Sequence, residues 1–408
     1  MEKNNAEKLT ADVCIVGGGP AGMVLALFLA QRGIRVLVLE SHKDFEREYR
    51  GEVLMPRFIQ MMQQIGLADY LETYPHLKLK NFELFLKDKL LVSLSLSDLC
   101  RDAPYALWMP QPILLNAFLD KAKSFSNFEI RFGVTVRDLL QDNGIVTGVI
   151  AEEKGEKFEI RSKVTVGADG RSSIVRKAGA FEFEYEHHDF DVIWFTIKQP
   201  LHYENTVRVF FSSHHRYLIL PKYPDCIQCG LLVPKGEFSH VRSQGIEAIR
   251  RELLEAHPVM RDFADSLKDF SPFNVLQARV SYVKKWAREG CLLIGDAAHT
   301  CSPAGAIGVA VAVATALVSA DVLIKAFQEK NFSEETLSEV QRRRAQDVKT
   351  IQRWQGRFTQ LALFRYPYLQ GLSAATMFFA VKTGILRSVQ RKIAVMKKPL
   401  PIDSRLHF

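Results

Sequence analysis

Val13-Cys14-Ile15-Val16-Gly17-Gly18-Gly19-Pro20-Ala21-Gly22 decides the fold. A short β-rich apolar run enters a glycine turn, and Met23 to Arg32 continues with helical apolar spacing. Gly33 closes that helix as its C-cap, and Ile34 to Leu39 forms a second strand ending in Glu40. The chain therefore starts with a complete βαβ unit, and each glycine of the turn has its own task in a dinucleotide site. Gly17 permits the tight turn, Gly19 lets backbone approach a pyrophosphate, and Gly22 allows close helix packing, while the helix N-terminus offers positive potential to phosphates. Glu40, 18 residues after Gly22, is placed to accept hydrogen bonds from a ribose hydroxyl.

Beyond Ser41 the pattern loosens, with a helix expected from Pro56 to Gly66 and another from Ile113 to Ala122, the latter opened by Pro112. Phe128 to Phe132 is a strand, and Gly144 to Glu152 with Lys157 to Val166 forms a hairpin that leads into Ala168-Asp169-Gly170-Arg171, a second phosphate-facing edge. Strand signals then dominate from Phe181 to Val283, at Asp191 to Lys198, Thr206 to Phe211, Arg216 to Leu220 and Ile227 to Val233, with Ile246 to Ala256 as a helix. Such a block, set between two nucleotide-binding pieces and lacking their glycine turns, is expected to be a separate sheet covering the site. Nucleotide-type texture returns at Cys291-Leu292-Leu293-Ile294-Gly295-Asp296, followed by Pro303, Gly305, Gly308 and a helix of small residues. Its apolar run, Ala304 to Ala320, is too short for a bilayer, which needs about 20 residues, and is expected to be a buried helix.

The 408 residues, 47% hydrophobic and 25% charged, describe a globular protein and exclude a disulfide-stapled or disordered module. Mean hydropathy near zero argues against a polytopic membrane protein, and the polar start, Met1 to Thr10, has no export signal, so a cytoplasmic location is expected. Six scattered cysteines suit reduced, buried side chains, and the Cys226/Cys229 pair has no second pair at zinc spacing, so no metal site is expected. The net charge of +8 is concentrated in Gln341 to Phe408, where 14 Lys and Arg face two acidic residues. Charge confined to one end, without any nucleic-acid-binding motif, speaks against a nucleic-acid partner.

The glycine turn with Glu40, the Asp169-Gly170 edge and the Gly295-Asp296 turn with its Pro303 loop stand in that order. Together they resemble the flavoprotein hydroxylases of the para-hydroxybenzoate hydroxylase type, the single-component FAD monooxygenases, over about Ala11 to Leu323. The resemblance implies an α/β chain: a Rossmann-like FAD-binding domain, an inserted β-rich substrate domain and a helical C-terminal tail. The FAD-binding domain then comprises 1–80, 111–180 and 284–330, the substrate domain a β-rich segment at 81–110 and the block 181–283, and the basic helical region 331–408. It further implies that Gly17, Gly19, Pro20, Ala21 and Gly22 hold the ADP part of FAD, with Glu40 on the adenosine ribose. Arg50 and Gln111 would lie near the flavin, Asp169 would serve FAD and the nicotinamide cofactor with Arg171 beside it, and Asp296 would hold the ribityl-pyrophosphate region. Pro303 and the helix start at Gly308 would face the isoalloxazine ring. Many relatives carry Gln and Asn where this chain has Ile307 and Ala310, yet backbone N–H groups can still stabilise negative charge on a reduced flavin.

The implied reaction is reduction of FAD by NADPH or NADH, capture of O₂ as a flavin hydroperoxide, and oxygen transfer to an aromatic or other apolar, electron-rich small molecule. No catalytic base is assigned among His187, His188, His202, His214 and His215, and His299 is expected to be structural. Glu334 to Phe364 is expected as one long amphipathic helix, broken by Tyr366-Pro367-Tyr368 and followed by the apolar run Leu372 to Val381. The flanking Lys382, Arg387, Arg391, Lys392, Lys397 and Lys398 fit a helix packed on the FAD domain with a solvated basic face, or else peripheral contact with an anionic membrane or an apolar carrier-bound substrate. The competing activities are an FAD-dependent dehydrogenase or reductase for an apolar substrate, a flavin halogenase, whose Trp-x-Trp-x-Ile-Pro motif is absent here, and a catalytically silent FAD-binding interaction protein.

Overall fold

Val13 to Val16 are buried, and the strand that carries them, Leu9–Val16, is the centre of the first sheet. It pairs in parallel with Glu156–Gly167 on one side and Val36–Glu40 on the other. Phe128–Phe132 extends the sheet beyond Val36–Glu40, and Cys291–Leu293 with Ala287–Arg288 extends it beyond Glu156–Gly167. A computed structural model provides this description for residues 9–46, 53–86, 89–198, 205–211, 216–362 and 383–408. Arg50, His202, His214, His215 and the run Leu372 to Val381 lie outside those residues, and the side chains of His187 and His188 are not described.

A parallel sheet must be covered on its faces. Helix Pro20–Gln31 packs on the sheet and also against helices Gln111–Ala122 and Gly308–Glu329, which is why every residue from Ala21 to Ala30 is buried and the helix is apolar around its circumference. Gly308–Glu329 starts where the sequence suggested, near Gly308, and runs on past Ala320, at 22 residues. That length would suffice for a membrane, but Ala310 to Leu323 lie inside the protein as a core helix.

The second sheet follows the order His299–Thr300, Asn274–Val283, Phe183–Lys198, Cys226–Pro234, Arg216–Lys222, Thr206–Phe211, Asn81–Leu86, Lys89–Ser95. Segment 81–95 thus joins strands far away in sequence through the parallel pairing of Asn81–Leu86 with Thr206–Phe211. One face packs with helices Glu237–Ser243, Ile246–Ala256 and Arg261–Ser266 around Phe195, Ile249, Leu253 and Phe273. From this sheet Trp194, Val207, Leu218 and Leu220 join the core of the first domain. A small sheet of Val53–Leu54, Ala106–Trp108 and Leu77–Leu79 fills the junction. Cys226 and Cys229 share one strand three residues apart, so their side chains leave opposite faces, and both are free thiols.

The C-terminal region differs from the single long helix expected. A short helix, Glu334–Leu337, precedes Glu339–Ala362. Residues 383–408 then form a strap on the domain of the first sheet. Helix Ile385–Ala394 buries Val389, Ile393 and Ala394, and Leu400 exchanges two hydrogen bonds of 2.9 Å with the side-chain amide of Gln64. At the end of the chain the Phe408 amide donates to the Ile65 carbonyl at 3.0 Å, and its ring meets Phe28 edge-on at 5.2 Å. The burial of Val389, Ile393 and Ala394 is what a helix packed on the protein requires.

Candidate active site

The three polar turns predicted from sequence converge, and the glycines record how closely. Gly17 has φ +105°, donates its N–H to the Leu39 carbonyl at 2.8 Å, and would place a Cβ only 2.5 Å from the Ala168 oxygen. Gly22 would place one 2.0 Å from the Gly17 oxygen, so helix and turn touch backbone to backbone. Gly19 has nothing within 4 Å of its Cβ position, and no side chain caps the helix that begins at Pro20. The turn is closed by backbone on one side and open at Gly19, the shape and donor set a pyrophosphate needs. Pro20, at the first helical position, has no N–H to leave unpaired.

Glu40 is buried and its carboxylate braces the same turn. It accepts from the Gly18 N–H at 2.8 Å and from the His42 N–H at 3.0 Å, with the His42 Nδ1 2.7 Å away. Besides standing where a ribose would be read, it holds the backbone that meets the phosphates.

At the second turn the Asp169 carboxylate accepts from the Ser173 hydroxyl at 2.5 Å, the Ile174 N–H at 2.7 Å and the Val175 N–H at 3.2 Å, so it caps helix Ile174–Ala178. Burial raises its pKa above the usual carboxylate value against the pull of these donors. Arg171 reaches across to the third turn, its Nε 3.3 Å from the Asp296 carboxylate, and Arg176 donates to the Ala297 carbonyl at 2.9 Å. Gly295, at φ +56°, would place a Cβ 3.0 Å from that of Ala21, which brings the Gly-Asp turn against the first glycine turn. Glu40, Asp169 and Asp296 are therefore gathered from residues 40, 169 and 296 to one edge of the first sheet.

The loop from Cys301 to Ile307 follows. Gly305 and Ala306 both have positive φ, +83° and +51°. Ile307 and Ala310 are turned into the core with 0% and 2% exposure. Gly308, the first residue of the long helix, has nothing within 4 Å of its Cβ position. Gln111 is half-buried in the first turn of its own helix. Behind the loop His299 is buried, its Nε2 2.9 Å from the Thr315 hydroxyl and its ring 4.8 Å from that of Trp286. Burial, with the Arg344 guanidinium nearby, pushes its pKa down to about 3, so it is neutral and carries no proton for chemistry at neutral pH.

Residues 10–354 match the family description "FAD binding domain". The 6-methylpretetramide 4-monooxygenase of Streptomyces rimosus is 30% identical over 98% of this chain and 96% of its own. The chain belongs to the FAD-dependent monooxygenases. Its fold is also that of p-nitrophenol 4-monooxygenase from Pseudomonas putida DLL-E4, with a TM-score of 0.79 at 20% identity over 95% of this chain and 99% of that one. A more distant relative, the 1H-pyrrole-2-carbonyl-[peptidyl-carrier protein] brominase of Pseudoalteromonas luteoviolacea, is 24% identical over 77% of each chain.

Three parts of this monooxygenase escaped sequence reasoning. Gln355, fully buried on helix Glu339–Ala362, accepts from the Ser302 N–H at 3.2 Å and donates to the Ser302 and Ala304 carbonyls at 2.9 and 2.6 Å. Arg57, 6% exposed, donates to the carbonyls of Lys392, Ile393 and Val395 at 3.3, 3.1 and 3.3 Å and pairs with Asp347 at 3.1 Å. Trp108, three residues before Gln111, is completely buried with its indole N–H unpaired among the described residues. A glutamine and an arginine inside amphipathic helices leave no periodic signal of such partners. Next to the Asp169 turn lies a cleft of about 460 Å³ lined by Arg171, Arg176, Lys177 and Arg279 together with Phe183 and Tyr185.

Proposed function

We propose that this monooxygenase hydroxylates an aromatic or other apolar, electron-rich small molecule, using O₂ and drawing electrons from NADPH or NADH in the cytoplasm. The convergence of the three turns on one sheet edge carries the reading. When bound, FAD supplies the redox chemistry that links the nicotinamide donor to O₂. The chain's part is to hold and orient. Gly17, Gly19, Pro20, Ala21 and Gly22 present the open turn and helix N-terminus to the pyrophosphate, Glu40 accepts from the adenosine ribose, and Asp296 accepts from the ribityl hydroxyls. Pro303 and the N–H groups opening at Gly308 would border the ring, with Gln111 beside it, and those N–H dipoles would favour negative charge there. Asp169 acts indirectly, by fixing the turn that carries Arg171.

Arg171, Lys177 and Arg279 give the neighbouring cleft the charge that suits the phosphates of a nicotinamide dinucleotide, and Phe183 and Tyr185 offer faces for a flat base. The substrate belongs between the second sheet and the first domain, where Trp194, Leu218 and Leu220 come from the sheet and the unpaired Trp108 indole supplies a donor. The apolar lining, the aromatic substrate named for p-nitrophenol 4-monooxygenase and the absence of the halogenase motif all support oxygenation of an aromatic compound.

The test is to purify the full chain, record its visible spectrum and incubate it with NADPH or NADH and a panel of phenols under ¹⁸O₂. A yellow protein that consumes the nicotinamide and places one labelled oxygen in a phenol is the expected result. A protein that takes up no FAD, or that oxidises substrates without incorporating label, would overturn the reading.

A further inference from the structure

The loop bordering the flavin site is not self-supporting. It contains Ala306 at φ +51°, a backbone region that a side chain disfavours, directly after Gly305 at φ +83°. Ile307 anchors one end in the core. The other end is held by a group 53 residues away, the Gln355 amide, which accepts from the Ser302 N–H and donates to the carbonyls of Ser302 and Ala304. A single planar amide thus spans the backbone on both sides of Pro303. With Gln355 at 0% and Ser302 at 1% exposure, neither the amide nor the Ser302 groups it serves could turn to water if the contact opened. Outward movement is checked as well, because Ile393 of the C-terminal helix lies 3.3 Å from the Cβ position of Gly305. Helix Glu339–Ala362, which carries Gln355, offers an internal comparison. Gln352, one turn earlier and 7% exposed, donates to the carbonyls of Ser281 and Thr300 at 3.1 and 2.8 Å, clamping the second sheet instead of the loop.

We propose that Gln355 is a positioning residue for the flavin. Its amide sets the path of Ser302-Pro303-Ala304, and through it the placement of Pro303 and of the N–H groups where helix Gly308–Glu329 begins. Ile307 and Ala310 face the core and can contribute no side-chain hydrogen bond to the ring, so the aim of this segment depends on backbone geometry fixed from helix Glu339–Ala362. The inference rests on the reading that residues 303–308 border the flavin.

Gln355→Leu, Gln355→Glu, Gln352→Leu and Gly308→Leu, each in the full chain, separate the two. Hydrogen exchange of the FAD-free and FAD-bound proteins, the visible circular dichroism of bound FAD and its dissociation constant are measured. For Gln355→Leu, exchange across 302–304 quickens about tenfold and FAD binds about tenfold more weakly with an altered flavin band. Gln355→Glu keeps the acceptor for the Ser302 N–H but loses both donations, and gives a smaller change of the same kind, which also carries the test if the leucine variant does not fold. Gln352→Leu lowers the melting temperature but leaves the flavin band unaltered. A wild-type band and wild-type exchange in both Gln355 variants, or an equal band change in Gln352→Leu, overturns the proposal. If Gly308→Leu leaves the band unmoved, the placement of the flavin falls first and the proposal with it; if Gly308→Leu moves the band and the Gln355 variants do not, only the clamp is wrong.

Discussion

Adding one methyl group at Gly22 and, separately, at Gly19 distinguishes a glycine needed by the protein from one needed by the cofactor. At Gly22 the new Cβ would stand 2.0 Å from the Gly17 oxygen. An ordinary carbon–oxygen contact is about 3.4 Å, so helix Pro20–Gln31 and the turn would have to separate by more than an ångström. Overpacking of this kind costs about 1–3 kcal/mol, and the helical preference of alanine over glycine returns at most about 1 kcal/mol of it. The separation also draws first-turn N–H groups away from the pyrophosphate, and each charge-assisted bond lost is worth about 1.5–3 kcal/mol. Gly22→Ala is therefore expected to melt earlier without FAD and to bind FAD roughly 10- to 100-fold more weakly. At Gly19 the backbone is extended, φ −73° and ψ 180°, with nothing within 4 Å of the Cβ position. The FAD-free Gly19→Ala protein should melt at or slightly above the wild-type temperature, since alanine restricts the unfolded chain by about 0.4–1 kcal/mol. Its methyl group occupies space needed by the phosphates, so FAD affinity should again fall at least about tenfold. The assay is thermal melting of FAD-free protein beside fluorescence titration with FAD. Wild-type FAD affinity in Gly19→Ala, or wild-type melting in Gly22→Ala, would refute this account of the turn.

The neutral, buried His299 predicts acid sensitivity. Its folded pKa lies below its unfolded value of 6.5, so the unfolded state binds the extra proton and stability falls as pH drops from about 6.5 toward 3, by up to about 1.4 kcal/mol per pH unit. His299→Gln should flatten that part of a plot of melting temperature against pH, and an unchanged slope would count against the assignment. Arg57→Met leaves three carbonyls of the C-terminal strap without their donor and Asp347 with Arg344 alone, with an expected loss of about 3 kcal/mol. Faster proteolysis after residue 383 should accompany it, and uniform proteolysis along the chain would contradict a strap held at Arg57. Asp169→Asn turns an acceptor-only cap into a weaker one and should lower stability by about 1 kcal/mol, read by chemical denaturation, while leaving FAD bound. Loss of FAD without loss of stability would show instead that the carboxylate touches the cofactor. Lys177→Ala with Arg279→Ala should raise the KM for the nicotinamide donor several-fold, and more so at low salt, with kcat little changed.

The turns were legible because their causes are local. A strand that must end in positive φ calls for Gly17, a helix that must begin beside it calls for Gly22, and Gly33 at φ +75° stops that helix where its sequence says it should. Alternation marked most of the second sheet's strands, although Phe183–Lys198 begins eight residues before the strand expected at Asp191, since its first part is exposed and charged. The long helix was found with its start near Gly308, just past the left-handed Gly305 and Ala306, but it continues beyond Ala320 to Glu329 because its apolar face does. The Glu334 helix was expected unbroken because its apolar period passes through Ser338 without a proline or glycine to show the interruption.

From its sequence alone this protein had a βαβ start, three polar turns in a fixed order and a sheet-forming insert, all consequences of φ/ψ preference and hydrophobic period within a few residues. Only the tertiary structure decided that Gly17 meets Ala168, that Gly295 meets Ala21, that Gln355 holds Ser302 and that Arg57 ties down the end of helix Ile385–Ala394. Those contacts join residues from 53 to 336 positions apart, and a hydrogen bond or close approach between distant segments leaves no periodicity in either one.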